Sequence, residues 1–416
     1  MSQQASITDA ELDARFAPIF TRIAAGAVER EQHRTLAHEP VAWLREAGFG
    51  ALRVPQSHGG LGASLAQLLR QLVRLGQADS NLPQILRAHF GFVEGRLSSN
   101  DAASQDYWFA RVVAGELWGA AMAERTDSTG NTVQLAKGEE GDYRLDGEKY
   151  YCTGTLYADW VAAVANHGDE FVSLAVPTRA PGVEVVDDWD GFGQRLTGSG
   201  TTRFRQVAVP QRHVLRRFAK GELRAESYLT AFYQVVHLAT LAGIARAVLA
   251  DAVAFVQGRT RAFGVPGQSK PSDDPLVQRV VGRLSSLAFA TEAQVSAVGH
   301  GLQGVFEAGQ AGEVPEQLYT DAEVRAFQAQ QIVLAQVLEA TTLLFEVGGA
   351  SATSNARRLD RHWRNARTLA SHNPAIYREQ ALGDYYLNGV SPAAAWRAKQ
   401  AAASAGQGAG DEASAV

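Results

Sequence analysis

Only one cysteine, Cys152, occurs in 416 residues. An internal disulfide is therefore impossible, as is any cysteine-rich metal site, which fits a reducing cytoplasm. Basic charge is not in excess either: 39 Lys and Arg stand against 44 Asp and Glu, a net charge of -5. Attraction to nucleic acid or to an anionic membrane needs such an excess, so neither is an expected partner. No apolar run reaches the ~18 residues that argue for a membrane span. The most apolar stretch, around Val235 to Val256, is interrupted by His237, Arg246 and Asp251. The opening MSQQASITDAELDAR has no basic segment followed by an apolar one, so no signal peptide is expected. There is no internal repeat, P-loop, HExxH or convincing GxGxxG, and no metal site is predicted.

With 46% hydrophobic and 20% charged residues, the chain can bury a large core and is too long for one domain. Residues 1–117 read as helical. Thr8-Asp9-Ala10-Glu11 is a capping box, and Leu65, Leu68, Leu69, Leu72 and Val73 recur at helical spacing. Residues 118–224 shift toward a period of two, with short runs at Tyr143–Leu145, Tyr150–Cys152, Phe171–Val176, Val183–Val186 and Thr202–Val209. They predict a small antiparallel barrel or sandwich. Residues 225–396 return to long amphipathic helices, the pattern of a helical bundle. Residues 397–416 are low in complexity and predict a disordered tail. The class is α+β multidomain: N-terminal helical domain, central antiparallel β-barrel, C-terminal bundle.

One stretch stands out for chemistry: Gly147 to Trp160, GEKYYCTGTLYADW. Asp146-Gly147 signals a turn, so the segment reads as a hairpin whose second strand ends in Thr153-Gly154-Thr155. Hydroxyls and free backbone amides beside Tyr150, Tyr151 and Trp160 suit a flat heteroaromatic ring, with an ordinary core hairpin as the alternative.

Several stretches resemble the acyl-CoA dehydrogenase family in the right order. They are Arg53-Val54-Pro55 with Gly59-Gly60-Leu61-Gly62, Met122-Ala123-Glu124, Lys149 to Trp160, Arg259 to Gly264, and Phe345 to Ala350. That resemblance implies a helix–β-barrel–helix fold and a bound flavin. It assigns ring contacts to Thr153, Gly154 and Thr155, phosphate contacts to Arg261 or its rival Arg259, and further cofactor contacts to Gly348 and Gly349. Trp189, or Phe192 beside it, would close the pocket. In this family the phosphate contact comes from a neighbouring subunit, which implies a homotetramer.

The two positions where the family carries its glutamate base read Asn373 and Tyr233 here. Abstraction of a thioester α-proton needs a carboxylate of raised pKa, so desaturation is not expected. YYCTGTLYADW, DDWDGFGQRLTGSGT, LDRHWRNARTLASHNP and YYLNGV resemble instead the flavin-dependent monooxygenases of this fold. That branch implies a two-component enzyme using FMNH2, with FAD less expected, and a C4a-hydroperoxide that oxygenates a small, organosulfur substrate. Its partners would be O2 and a separate NAD(P)H:flavin reductase. By resemblance, His89 and His372 are the candidate polar residues around the peroxide, with Thr155 as hydroxyl partner. A dehydrogenase with a non-standard base and a non-catalytic family member are the competing readings.

Overall fold

The computed structural model describes residues 7–124, 132–138, 141–219, 228–260, 270–312 and 314–399. Its first layer is helical: α1 (Asp9–Ala25), α2 (Ala27–His33), α3 (His38–Glu46), α4 (Leu65–Ala78), α5 (Asn81–Leu97) and α6 (Ala102–Val113). The capping box opens α1, with Glu11 N donating to the Thr8 hydroxyl at 3.2 Å and Thr8 N donating to the Glu11 carboxylate at 2.8 Å. Two amides that a helix start leaves unpaired are thereby satisfied. The apolar stripe predicted in α4 is buried throughout.

Eight strands follow: β1 (Trp118–Ala121), β2 (Gln134–Lys137), β3 (Tyr143–Lys149), β4 (Trp160–His167), β5 (Glu170–Pro177), β6 (Val183–Val185), β7 (Thr202–Val209) and β8 (Val214–Ala219). They form one sheet in the order β6-β7-β3-β2-β4-β5-β8, with β1 also on β4. This departs from the expected antiparallel barrel in two ways. Both β1 and β2 run parallel to β4, because β4 returns beside β1 only after a long crossover, which delivers a parallel partner. Among the described residues the sheet is also open, ending at β6 and β8, which do not pair with each other.

The Asp146-Gly147 turn is a second correction. β3 runs straight through it, and its register against β7 shifts between Leu145 and Gly147. Gly147 sits at φ 130, so the extra residue is absorbed as a bulge and the chain does not reverse. The strand predicted at Tyr150–Cys152 reduces to a single bridge from Tyr150 to Ala123; Tyr151, at φ 59, bends the chain away from the sheet.

The remaining helices are α7 (Leu229–Gln257), α8 (Pro275–Ala311), α9 (Glu316–Leu343), α10 (Asp360–His372) and α11 (Ala375–Asn388). α7 packs against α4, α5, α8, α9 and α10, which explains its apolar character on every side. By length and hydropathy it could cross a membrane, but here it is the central core helix. N- and C-terminal helices share one core, in which Phe16, Leu68 and Phe90 meet Leu241, Val298 and Val333. The sheet keeps its own core around Val161, Leu174 and Phe204. An aromatic cluster of Phe92, Trp108, Trp118 and Trp160 clamps α5 and α6 to β1 and β4.

Candidate functional site

Between that helical layer and the sheet lies a cavity of about 1160 Å³. Arg87 and Gly91 of α5, Tyr233 of α7 and His372 at the end of α10 form one wall; Tyr151 and Thr153 stand on the other. α5 turns Gln84, Arg87, Ala88, Gly91 and Gly95 toward this space, positions three and four residues apart on one helical face.

His89 lies on the other face of α5 and does not reach the cavity. It is fully buried with Phe90 and Trp118, and its Nε2 hydrogen-bonds the Gly50 carbonyl at 2.9 Å. A carbonyl can only accept, so Nε2 carries the hydrogen and Nδ1 stays buried without a partner. Burial pulls its pKa to about 4 despite that bond.

The amides expected to be free at 153–155 are all spent inside the protein. Thr153 N donates to Tyr151 O at 2.8 Å, Gly154 N to Thr197 O at 3.0 Å and Thr155 N to Cys152 O at 3.2 Å. Gly154 sits at φ 80, and a Cβ there would meet the Ile85 carbonyl oxygen at 2.3 Å. Glycine thus lets the loop press against α5. Thr155 is buried behind the loop, its hydroxyl donating to Ala120 O at 3.2 Å. Of the three predicted ring-contact residues, Thr153 alone faces the cavity.

Thr153 heads a chain of hydroxyls, and its Oγ1 also lies 3.5 Å from Tyr151 O. The Thr197 hydroxyl lies 2.8 Å from Gln194 O, Ser199 Oγ lies 2.7 Å from Thr197 Oγ1, and Thr153 Oγ1 lies 2.8 Å from Ser199 Oγ. A carbonyl supplies no proton, so when Thr197 donates to Gln194, Ser199 donates to Thr197 and Thr153 to Ser199; run the other way, Thr197 donates to Ser199, Ser199 to Thr153 and Thr153 to Tyr151 O. Thr153 consequently shows the cavity lone pairs and no hydrogen. It is an acceptor.

His372 is oriented by its neighbours. The Asn373 amide donates to Gln234 Oε1 at 2.9 Å, which turns Asn373 Oδ1 toward His372 Nδ1 at 3.3 Å. Nδ1 therefore carries the hydrogen, and Nε2 is the basic atom. Although the ring is open to the cavity, protein surrounds it; desolvation first, then the Arg87 charge, brings its pKa to about 4. His237 lies edge-on to it, ring centroids 4.3 Å apart, and is itself held well below its usual pKa by burial, Arg87 and His372.

No Asp or Glu lines the cavity among the described residues. The acid nearest in sequence to the lining residues Met122 and Ala123 is Glu124, and it is occupied. Lys149 Nζ donates to it at 2.6 Å, as do the Thr132 amide and hydroxyl. Burial alone would raise its pKa, but these bonds outweigh burial and hold it below the carboxylate range. Tyr233 does face the cavity.

Trp189 stands near Tyr151, ring centroids 6.1 Å apart, with its Nε1 donating to Gln194 O at 3.1 Å. Phe192 stacks on Trp363. Arg259 donates to Val347 O at 3.0 Å, and Gly348 lies against the Phe255 ring. Arg259, Gly348 and Gly349 do not line this cavity, and Arg261 lies outside the described residues. Sequence reasoning missed Arg87, His237, Thr197 and Ser199. The first could have been found from the three-and-four spacing of Gln84, Arg87, Ala88 and Gly91; the others come together only through tertiary contact.

The acyl-CoA dehydrogenase middle-domain family matches residues 120–207, and its C-terminal-domain family matches residues 235–375. Over 381 residues the chain is 26% identical to a dibenzothiophene monooxygenase of Rhodococcus erythropolis, covering 88% of this chain and 91% of that one. It is 27% identical over 374 residues to the probable FMNH2-dependent monooxygenase SfnC of Pseudomonas putida, covering 88% and 92%. TdsC from Paenibacillus sp. A11-2, solved with FMN and indole, superposes with a TM-score of 0.85 at 25% identity, covering 93% of this chain and 99% of TdsC. The chain therefore belongs to the acyl-CoA dehydrogenase family, on the side of it held by the flavin-dependent monooxygenases.

Proposed function

We propose that this protein is a two-component monooxygenase that takes up FMNH2 and oxygenates a small organosulfur compound. The observation that carries this reading is the chemistry of the cavity wall: neutral histidine, hydroxyl and aromatic groups with three arginines, and no carboxylate among the described lining residues. Proton abstraction from carbon lacks its base there, whereas oxygen transfer needs water excluded and neutral donors and acceptors in place. At about 1160 Å³, the cavity exceeds the ~300–1,000 Å³ of an ordinary small-molecule site, which leaves room for a flavin nucleotide and a small substrate together. The TdsC complex and the FMNH2-dependent relative support FMN as the cofactor.

Reduced FMN would supply the electrons and the ring that activates O2. Thr153, as an acceptor, would meet an N–H of the ring edge. His372 Nε2 would hold or pass the proton that oxygen transfer releases, with His237 packing its ring in place. Tyr151 and Trp189 would shield the rim. We assign no catalytic role to His89 or Thr155, which are turned into the core. Arg259 and Arg261 remain our candidates for the phosphate of a neighbouring subunit's flavin, with Gly348 and Gly349 beside them. A homotetramer is supported by apolar surface on α8 and α11, where Phe289, Ile376 and Leu387 are exposed. The electrons would come from a separate NAD(P)H:flavin reductase, in a cytoplasm where buried Cys152 stays a thiol.

The test is turnover. Oxygen uptake and substrate oxidation should both require an added flavin reductase and FMN. Tight FAD binding, with bleaching of that flavin by an acyl-CoA under anaerobic conditions, would point to a dehydrogenase instead.

A further inference from the structure

Arg87, Arg96 and Arg216 line the cavity, and Arg87 is the one whose charge acts on His372. Its guanidinium makes one protein hydrogen bond among the described residues, from Nε to the Tyr233 carbonyl at 3.2 Å, and its Cζ lies 4.8 Å from the Tyr233 ring centroid. No carboxylate pairs with it among those residues, and none lines the cavity. Elsewhere in the same helical layer the fold treats buried arginines differently. Arg30 meets Asp79 at 2.9 Å and Arg53 meets Glu94 at 2.6 Å. Leaving a partly buried cation with a neutral partner costs free energy that a paired one does not lose.

Glu323 acts on Arg378, but no carboxylate is among the groups acting on Arg87. His372 and His237 stand beside Arg87 and are neutral at pH 7. Arg378, close enough to act on both histidines, spends its Nη1 on the neutral amides of Gln234 and Gln330. A guanidinium fork with unused donors, at the cavity end where the histidines sit, is complementary to a carboxylate, sulfinate or phosphate group.

We propose that Arg87 is the substrate-anchoring residue and that the substrate carries an oxyanion, an alkyl or aryl sulfinate being the organosulfur form of it. This rests on the monooxygenase reading above, which places the reacting group beside His372. The flavin's own phosphate has the same chemistry, and the experiment separates the two.

Equilibrium binding is measured on the full-length protein with oxidised FMN and no reductase, using benzenesulfinate and the neutral methyl phenyl sulfone. Wild type should favour the sulfinate by about tenfold to a hundredfold, the range of a charge-assisted hydrogen bond. R87M should erase that preference while leaving sulfone affinity unchanged, and Arg87→Lys, which keeps the charge and loses the fork, should retain part of it. R87K also serves if R87M does not fold. Equal binding of sulfinate and sulfone by wild type would overturn the assignment. So would loss of the preference for FMN over riboflavin in R87M or R87K, which would give Arg87 to the flavin phosphate. Sulfinate titration of flavin-free protein separates the two ideas. Failure of FMN to bind in any redox state defeats the monooxygenase reading, whereas an Arg87-dependent sulfinate signal without FMN still supports the anchor.

Discussion

Replacing Thr197 by valine, deep behind the cavity wall, should change which redox state of FMN the site prefers. Thr197 is fully buried and does not line the cavity, and valine keeps its shape. The Gln194 carbonyl would still receive the Trp189 indole at 3.1 Å and Thr197 N at 3.2 Å, so no buried acceptor is orphaned. What changes is proton direction. Ser199 loses its acceptor and can turn its hydrogen to Thr153, whose own hydrogen is left with only the long contact to Tyr151 O at 3.5 Å and can turn toward the cavity. In the native chain Thr153 can only accept, which would suit an N–H of the reduced ring; in the variant it could donate to a bare ring nitrogen of oxidised FMN. Losing one neutral hydrogen bond in one state and gaining one in the other is worth ~1–3 kcal/mol between them. For a two-electron couple that corresponds to a fall of ~20–60 mV in the midpoint potential of bound FMN. Photoreduction of the FMN complex against a reference dye measures it, and Ser199→Ala should move the potential the same way. An unchanged potential in both variants, with FMN still bound, would refute the relay.

Three other perturbations follow from the geometry. Asn373→Asp places a carboxylate against His372 Nδ1, so the His372 pKa should rise from about 4; the acid limb of the kcat/KM profile should move to higher pH, and an unmoved limb would remove His372 from the proton path. The unfolded chain protonates His89 near pH 6.5 and the folded chain only at about 4, so stability falls as pH drops through that window. The loss is up to ~3 kcal/mol, and His89→Gln should be less sensitive to acid in urea titrations from pH 7 to 4. Gly154→Ala should cost more than ~2 kcal/mol, from the left-handed backbone plus the collision with Ile85 O. An unshifted urea midpoint would show that the loop can withdraw from α5.

The layer order was legible because helical and strand periods differ so plainly along the chain. β5 and β7 fall where period-two runs predicted them, and the capping box at Thr8 forms. What failed was local. Asp146-Gly147 carries a hairpin signature, yet a strand with a partner on each side holds it as a bulge. Parallel pairing of β1 with β4 depends on a crossover that no local pattern encodes. In the site, His372 and Tyr233 line the cavity, but His89 does not. Its helical face, shared with Leu82, Ile85, Leu86 and Val93, was readable as core by period alone. The Thr153–Ser199–Thr197 relay joins two loops far apart in sequence, and hydroxyl direction appears only once the distances are known.

The most direct measurement of the central claim is the source of the transferred oxygen. Benzenesulfinate is supplied to the protein with FMN, a flavin reductase and NADH under oxygen-18 gas, and the sulfonate is weighed by mass spectrometry. A monooxygenase predicts one labelled oxygen per sulfonate and none when the label is in water instead. Product that draws its oxygen from water, or acyl-CoA desaturation that proceeds with an artificial acceptor and no O2, would contradict it.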